Sequence, residues 1–129
     1  MANVGDSRLL AIEEGGVTQI TKDHKPEEET ERARIINNGG EVYRNVPEEG
    51  EIQSRNIPYR VYPGKLSVSR TIGDVHIKRE NSKVVIAEPE IFTLSLKDFS
   101  YLLLFTDGVY EKLSNNDISG CFSSTMKPE

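Results

Sequence analysis

The sequence predicts an α+β fold, and three observations carry that prediction. Short apolar alternations separated by glycines read as strands and a hairpin. An acidic, proline-led segment that stops at Asn38-Gly39-Gly40 reads as a helix. The continuous apolar run Tyr101–Phe105 reads as a central strand followed by helical turns. With 129 residues the chain has the size of one domain or of part of one, long enough to bury a core without disulfides.

In chain order, Ala2 and Val4 alternate with polar neighbours, Gly5-Asp6-Ser7 interrupts, and Leu9–Ile12 resumes the apolar run. A turn at Gly15-Gly16 before Val17–Ile20 predicts a β-hairpin. The strand pattern begins almost at Met1, so further residues are expected upstream. A helix is expected near residues 26–37, with Pro26 in its first turn and Glu27-Glu28-Glu29 at the positive end of its dipole. The Glu run reads as a solvated face, Glu28 and Arg32 are spaced to pair, and Ala33 with Ile36 offers a narrow apolar stripe.

Residues 41–63, with prolines at 47, 58 and 63, read as an irregular insertion with short strands, loosely held. Val84–Ala87 is a short β-branched run, and Phe92, Leu94 and Leu96 alternate as a half-buried strand would. After Thr106-Asp107-Gly108, Val109–Leu113 reads as helical, and Ser114-x-x-Asp117 as a capping signal for another short helix. The tail 123–129 is expected to fray.

Composition narrows the function classes. A net charge of -5 argues against nucleic acid or an anionic membrane as partner, because a phosphate grip needs clustered Lys and Arg. The single cysteine, Cys121, permits no intrachain disulfide and reads as a partly buried thiol of a reducing, intracellular (cytoplasmic or nuclear) protein. A catalytic cysteine is disfavoured, since neither His24 nor His76 is near it in sequence. No apolar run is long enough to span a bilayer, and MANVGDSR lacks signal-peptide character.

The stretch GKLSVSRTIGD (64–74) invites a phosphate-loop reading, which fails. Tyr59 stands where a Walker loop needs glycine, and Leu66 where it needs Ser or Thr. Leu66 and Val68 alternate with Ser67 and Ser69 as a short strand would, delivering Arg70 and Asp74 to a polar corner. Asp107 is a stronger chemical candidate, because a carboxylate at a strand end reaches the rim where a ligand can approach. Asp6 could converge on the same rim, and Glu111 lies one helical turn after Asp107. Such carboxylates suit Mg²⁺ or Mn²⁺. Each also has a plain reading, Asp-Gly as a turn pair and Asp6-Ser7-Arg8 as a polar bend.

Six segments in order, ANVGDSR (2–8), TKDHKP (21–26), RIINNGGEV (34–42), GKLSVSRTIGD (64–74), AEPEI (87–91) and LLLFTDGVYEKLSN (102–115), resemble the metal-dependent protein serine/threonine phosphatases of type 2C. The resemblance implies part of an α-β-β-α sandwich, two mainly antiparallel sheets with flanking helices, and the chain as the central part of one catalytic domain. It further implies two or more Mg²⁺ or Mn²⁺ ions in the complete domain, with a metal-held water attacking phosphorus in line and a phosphoprotein as substrate. By position, Asp107 matches a metal-binding aspartate and Asp6 one tied to a further, weaker metal position. Glu111 stands where the family usually has aspartate, and Tyr110 where it commonly has tryptophan.

Residues 41–63 match the family's flap beside the catalytic cleft, while Arg70 and Asp74 read as bracing groups that sign the family without catalysing. The family's Asp-Gly-His-Gly-Gly segment, its phosphate-gripping arginine and its late Asp-Asn segment do not occur here, so no catalytic residue is assigned and these residues alone are expected to be inactive. A non-catalytic, phosphatase-like binding or regulatory module is the alternative. Uncovered sheet edges would invite dimerisation or aggregation.

Overall fold

The computed structural model describes residues 1–13, 15–45 and 57–123. The central part of the flap-like insertion (46–56) and the tail 124–129 lie outside the described residues. Seven strands are described, β1 (Ala2–Asn3), β2 (Arg8–Glu13), β3 (Gly16–Gln19), β4 (Glu41–Tyr43), β5 (Arg60–Tyr62), β6 (Glu90–Ile91) and β7 (Tyr101–Phe105). The helices are α1 (Glu29–Asn37), α2 (Val75–Glu80), α3 (Asp107–Tyr110) and α4 (Asn115–Ser123). The fold class is α+β, and the named strand ladders with resolved register are antiparallel. The chain divides into two compact units, Met1–Asp23 with Ile91–Glu129, and His24–Glu90.

In the first unit the expected hairpin forms, with Leu10 opposite Gln19 and Glu13 opposite Gly16. The three strands run in the order β3-β2-β7. The central strand is therefore β2, whose Leu9, Leu10, Ala11 and Ile12 are all buried, while β7 lies at the edge among the described residues. This corrects the expectation for Tyr101–Phe105. Its apolar run alternates half-buried with exposed positions, and Leu104 is 70% exposed, because one strand neighbour covers only part of it. Continuous apolarity marks a strand but does not say which strand is central.

Helix α4 carries the expected cap. Ser114 N–H and Oγ–H donate to Asp117 Oδ2 (3.0 and 2.6 Å), and Asp117 N–H returns a bond to Ser114 Oγ. Helix α3 starts two residues before the expected Val109 and ends at Tyr110, after which the chain turns. Phe92 and Leu94 keep their half-buried alternation, but strand pairing stops at Ile91 and Leu96 opens a 3-10 turn, 70% exposed. Cys121 is exposed, not partly buried, because α4 turns Ile118 inward instead.

The second unit is built around Ile35, Val61, Ile77, Val84 and Val85, with Val42 and Leu66 against them. The two ends of the 41–63 insertion are thus core: β4 and β5 pair with Val42 opposite Val61, and Val61 is fully buried. Gly40 makes this possible. A Cβ there would lie 2.6 Å from Val84 Cγ1 and 2.9 Å from Ile35 Cγ2. GKLSVSRTIGD is not a strand; it makes two isolated bridges, Leu66 with Val61 and Arg70 with Ile86. Ser69, not Val68, is fully buried in it.

Helix α1 begins three residues later than expected, because the Glu28 carboxylate accepts from Thr30 N–H and Glu31 N–H and so acts as its cap. Pro26 is buried in the turn before it. The inward face is Glu31 and Ile35, not Ala33 and Ile36, which are exposed. A glutamate faces inward because the fold supplies its partners. Arg70 donates Nε and Nη2 to the two Glu31 oxygens (3.1 and 2.6 Å), Arg34 Nη2 donates at 2.8 Å, and Ser69 Oγ–H completes the set.

Burial pushes the Glu31 carboxyl up, but the hydrogen bonds from Arg70, Arg34 and Ser69 outweigh it and hold the group at about 2, against an ordinary 4.5. A folded value below the unfolded one stabilises the fold fully above about pH 4.5, and the contribution is lost as pH falls toward 2. A shift of that size corresponds to about 3 kcal/mol. In urea unfolding near neutral pH, Glu31→Gln is expected to cost about 3 kcal/mol, since it removes the closest counter-charge of Arg70 and leaves it only Glu90 at 4.0 Å, and to flatten the loss of stability between pH 4.5 and 2. Gly40→Ala is expected to cost about 1–3 kcal/mol through overpacking; an unchanged unfolding midpoint would contradict the close approach.

Candidate functional site

Strand register positions the candidate acids. In the β2–β7 ladder Arg8 lies opposite Phe105. Two residues outward from that last pair, the segment before β2 reaches Asp6 and the segment after β7 reaches Asp107. Residues separated by some hundred positions are therefore brought to one end of one sheet. Asp6 is half-buried in the Gly5-Asp6-Ser7 bend, and Asp107 is exposed as the first residue of α3. Glu111 is exposed, and its N–H closes the next turn on Asp107 carbonyl at 2.9 Å.

A polar network that the sequence reading missed surrounds the two aspartates. Tyr110 Oη–H donates to the Asp6 carbonyl at 2.7 Å. The Arg8 guanidinium lies over the Tyr110 ring, 3.8 Å from its centroid. The same guanidinium donates to both Asp23 oxygens (2.6 and 3.3 Å) and to Asn115 Oδ1 (2.8 Å). Gln19 Nε2 donates to Asp23, and Asn115 Nδ2 donates to Gln19 Oε1. Arg8, Asp23, Tyr110 and Asn115 all fall within the six quoted segments, but only the contacts of the folded chain show that they meet.

Burial pushes the Tyr110 phenol well above its ordinary value, and the charges of Asp6, Asp23 and Asp107 push it further; Arg8 opposes them. The phenol thus stays protonated and remains a donor. Among the described residues, no group of three or more His, Cys, Asp or Glu side chains is arranged to hold a metal ion.

Arg70 and Asp74 lie in the second unit. Arg70 is bound to Glu31, and its Nη1 donates to the Glu88 carbonyl at 3.0 Å. Asp74 takes a left-handed conformation (φ 48°) and its carbonyl accepts from Ile77 and Lys78 N–H; its side chain does not cap α2. Aspartate tolerates that conformation better than most residues. His24 is buried with Nε2 3.5 Å from Glu90, and burial followed by the Arg70 charge lowers its pKa.

A family model described as Protein phosphatase 2C matches residues 1–128. The match covers nearly the whole chain, and the chain belongs to the protein phosphatase 2C family. Its relatives include the "Probable protein phosphatase 1N" of Mus musculus, 35% identical over 133 residues, covering 98% of this chain and 29% of that protein. The "Probable protein phosphatase 2C 14" of Arabidopsis thaliana is 36% identical over 118 residues, covering 91% of this chain and 23% of that protein.

Among solved structures, a phosphatase from a pathogenic strain of Toxoplasma gondii superposes with a TM-score of 0.62 at 37% identity, over 85% of this chain and 31% of that one. A sex determining protein of C. elegans superposes with a TM-score of 0.73 at 24% identity, over 95% of this chain and 27% of that one, a likeness of fold. The chain spans less than a third of the length of these curated relatives.

The family implies divalent cations, and the residues present fit one in part. Asp6 and Asp107, brought to one sheet end by the strand register, offer hard carboxylate oxygens, while the neighbouring cation Arg8 is engaged by Asp23. Two carboxylates suffice for Mg²⁺-type binding when waters complete the shell. No helix among the described residues is long and apolar enough to cross a membrane. The Arg8 network predicts that Arg8→Lys, which loses the fork and the ring stacking, lowers stability by about 2 kcal/mol in thermal or urea unfolding. An unchanged midpoint would mean the network does not hold this end of the sheet.

Proposed function

We propose that the chain is the central part of the catalytic domain of a metal-dependent protein serine/threonine phosphatase, acting on phosphoserine and phosphothreonine in proteins. The observation that carries this reading is the β2–β7 register, which brings Asp6 and Asp107 to one sheet end in a chain of this family. Asp6 and Asp107 would hold Mg²⁺ or Mn²⁺, with Glu111 as a longer-armed third acid. When bound, the cations supply an acidified water and neutralise charge growing on the phosphoryl oxygens. The chain's own residues hold the acids: Tyr110 and Arg8 fix the segments on which they stand.

Arg70, tied to Glu31, is a bracing group in this reading, and Asp74 serves the turn into α2. The single cysteine supports an intracellular protein, cytoplasmic or nuclear. The exposed Leu102 and Leu104 support association through the β7 edge. A second reading, a non-catalytic phosphatase-like module, is supported by Glu111 standing where the family usually carries aspartate.

A chimera separates the two. Residues 1–115 would replace the matching segment of an active family member, and Mn²⁺-dependent phosphate release from a phosphothreonine peptide would be measured. The catalytic reading expects activity, a loss of about a hundredfold or more on Asp107→Asn, and a gain on Glu111→Asp. A folded but inactive chimera that Glu111→Asp does not revive supports the module instead. The 129 residues alone are expected to release negligible phosphate.

A further inference from the structure

We propose that Tyr110 is a positioning residue for the Asp6–Asp107 pair, its hydroxyl fixing the Asp6 bend against the α3 turn and so setting the pair's affinity for a divalent cation. The inference rests on the proposed cation role of those two aspartates and goes beyond it to a side chain that touches neither metal nor substrate.

Asp6 lies beyond the last β2–β7 pair and beside Gly5 at φ 105°, so strand register no longer sets its place. Tyr110 stands one turn along α3 from Asp107, and its Oη–H reaches back 2.7 Å to the Asp6 carbonyl. That bond joins two acidic segments that lie 104 residues apart in sequence when counted from Tyr110 to Asp6.

The ring makes two further contacts. Arg8 lies 3.8 Å from its centroid, and the Phe105 ring is tilted against it at 6.4 Å. Arg8 is in turn anchored to Asp23 and Asn115. A donor fixed in this way orders the backbone of Asp6 without using either carboxylate. Outer groups that orient ligands commonly alter metal affinity by tenfold or more when removed. Tryptophan, which the family commonly carries here, would also offer an aromatic face and an N–H donor.

The test is a titration of the 129-residue chain with Mn²⁺, reading free Mn²⁺ by electron paramagnetic resonance. Alongside it run Asp107→Asn, Tyr110→Phe and Tyr110→Trp, with metal-free thermal melting of each. The expected result is that Tyr110→Phe weakens Mn²⁺ binding by about tenfold, while Tyr110→Trp stays within about threefold of the parent.

Equal affinity of Tyr110→Phe and parent would overturn the positioning role and leave the cation reading intact. So would a Tyr110→Phe chain that melts lower yet binds as tightly, or that does not fold while Tyr110→Trp folds and binds no better than Asp107→Asn. No binding by the parent, or binding unaffected by Asp107→Asn, would overturn both.

Discussion

The antiparallel ladder between β2 and β7 sets where two distant aspartates fall, and the candidate site depends on it. Arg8 opposite Phe105 leaves Asp6 and Asp107 two residues past the same end of the sheet. A slip of one residue would move every side chain of one strand to the opposite face. It would also carry Arg8 away from Tyr110, Asp23 and Asn115. The buried run Leu9–Ile12 on β2 is bounded by Arg8 and Glu13, and sliding the strand would carry one of those charges into the covered stretch, which pins the register. Core burial and site geometry are thus one constraint.

The second unit has its own organising contact. Glu31 would be an expensive residue to bury alone, and the structure gives it two guanidiniums and a hydroxyl. Through them helix α1 is joined to the end of the GKLSVSRTIGD stretch. Arg34 extends the same connection to the carbonyls of Lys83, Val84 and Ser69. The stretch that looks like a phosphate loop by composition is occupied in the structure with holding α1 and starting α2.

Much of this is legible in the sequence. The hairpin at Gly15-Gly16, the Ser114–Asp117 cap and the strand at Tyr101–Phe105 follow from local pattern and turn chemistry, and all three are present. The buried face of α1 was not legible. Periodicity favours Ala33 and Ile36 because it scores Glu31 as polar, and it has no means of knowing that Arg70, 39 residues away, neutralises it. The place of β7 at the edge was hidden for a similar reason, since strand order is a tertiary property. The candidate acids could be named from sequence because strand ends and Asp-Gly turns mark them. Their supporting network could not, because Arg8, Asp23, Tyr110 and Asn115 meet only once the register is fixed.

On the proposed reading, one register makes one cation site from two distant segments. The most direct measurement is a nuclear magnetic resonance titration of the isotopically labelled chain with substoichiometric Mn²⁺, following paramagnetic broadening of backbone amides. The account predicts that signals from residues 5–7 and 106–111 broaden together, at the lowest Mn²⁺ and before any in the His24–Glu90 unit. Broadening confined to one of the two segments, or appearing first elsewhere, would contradict it.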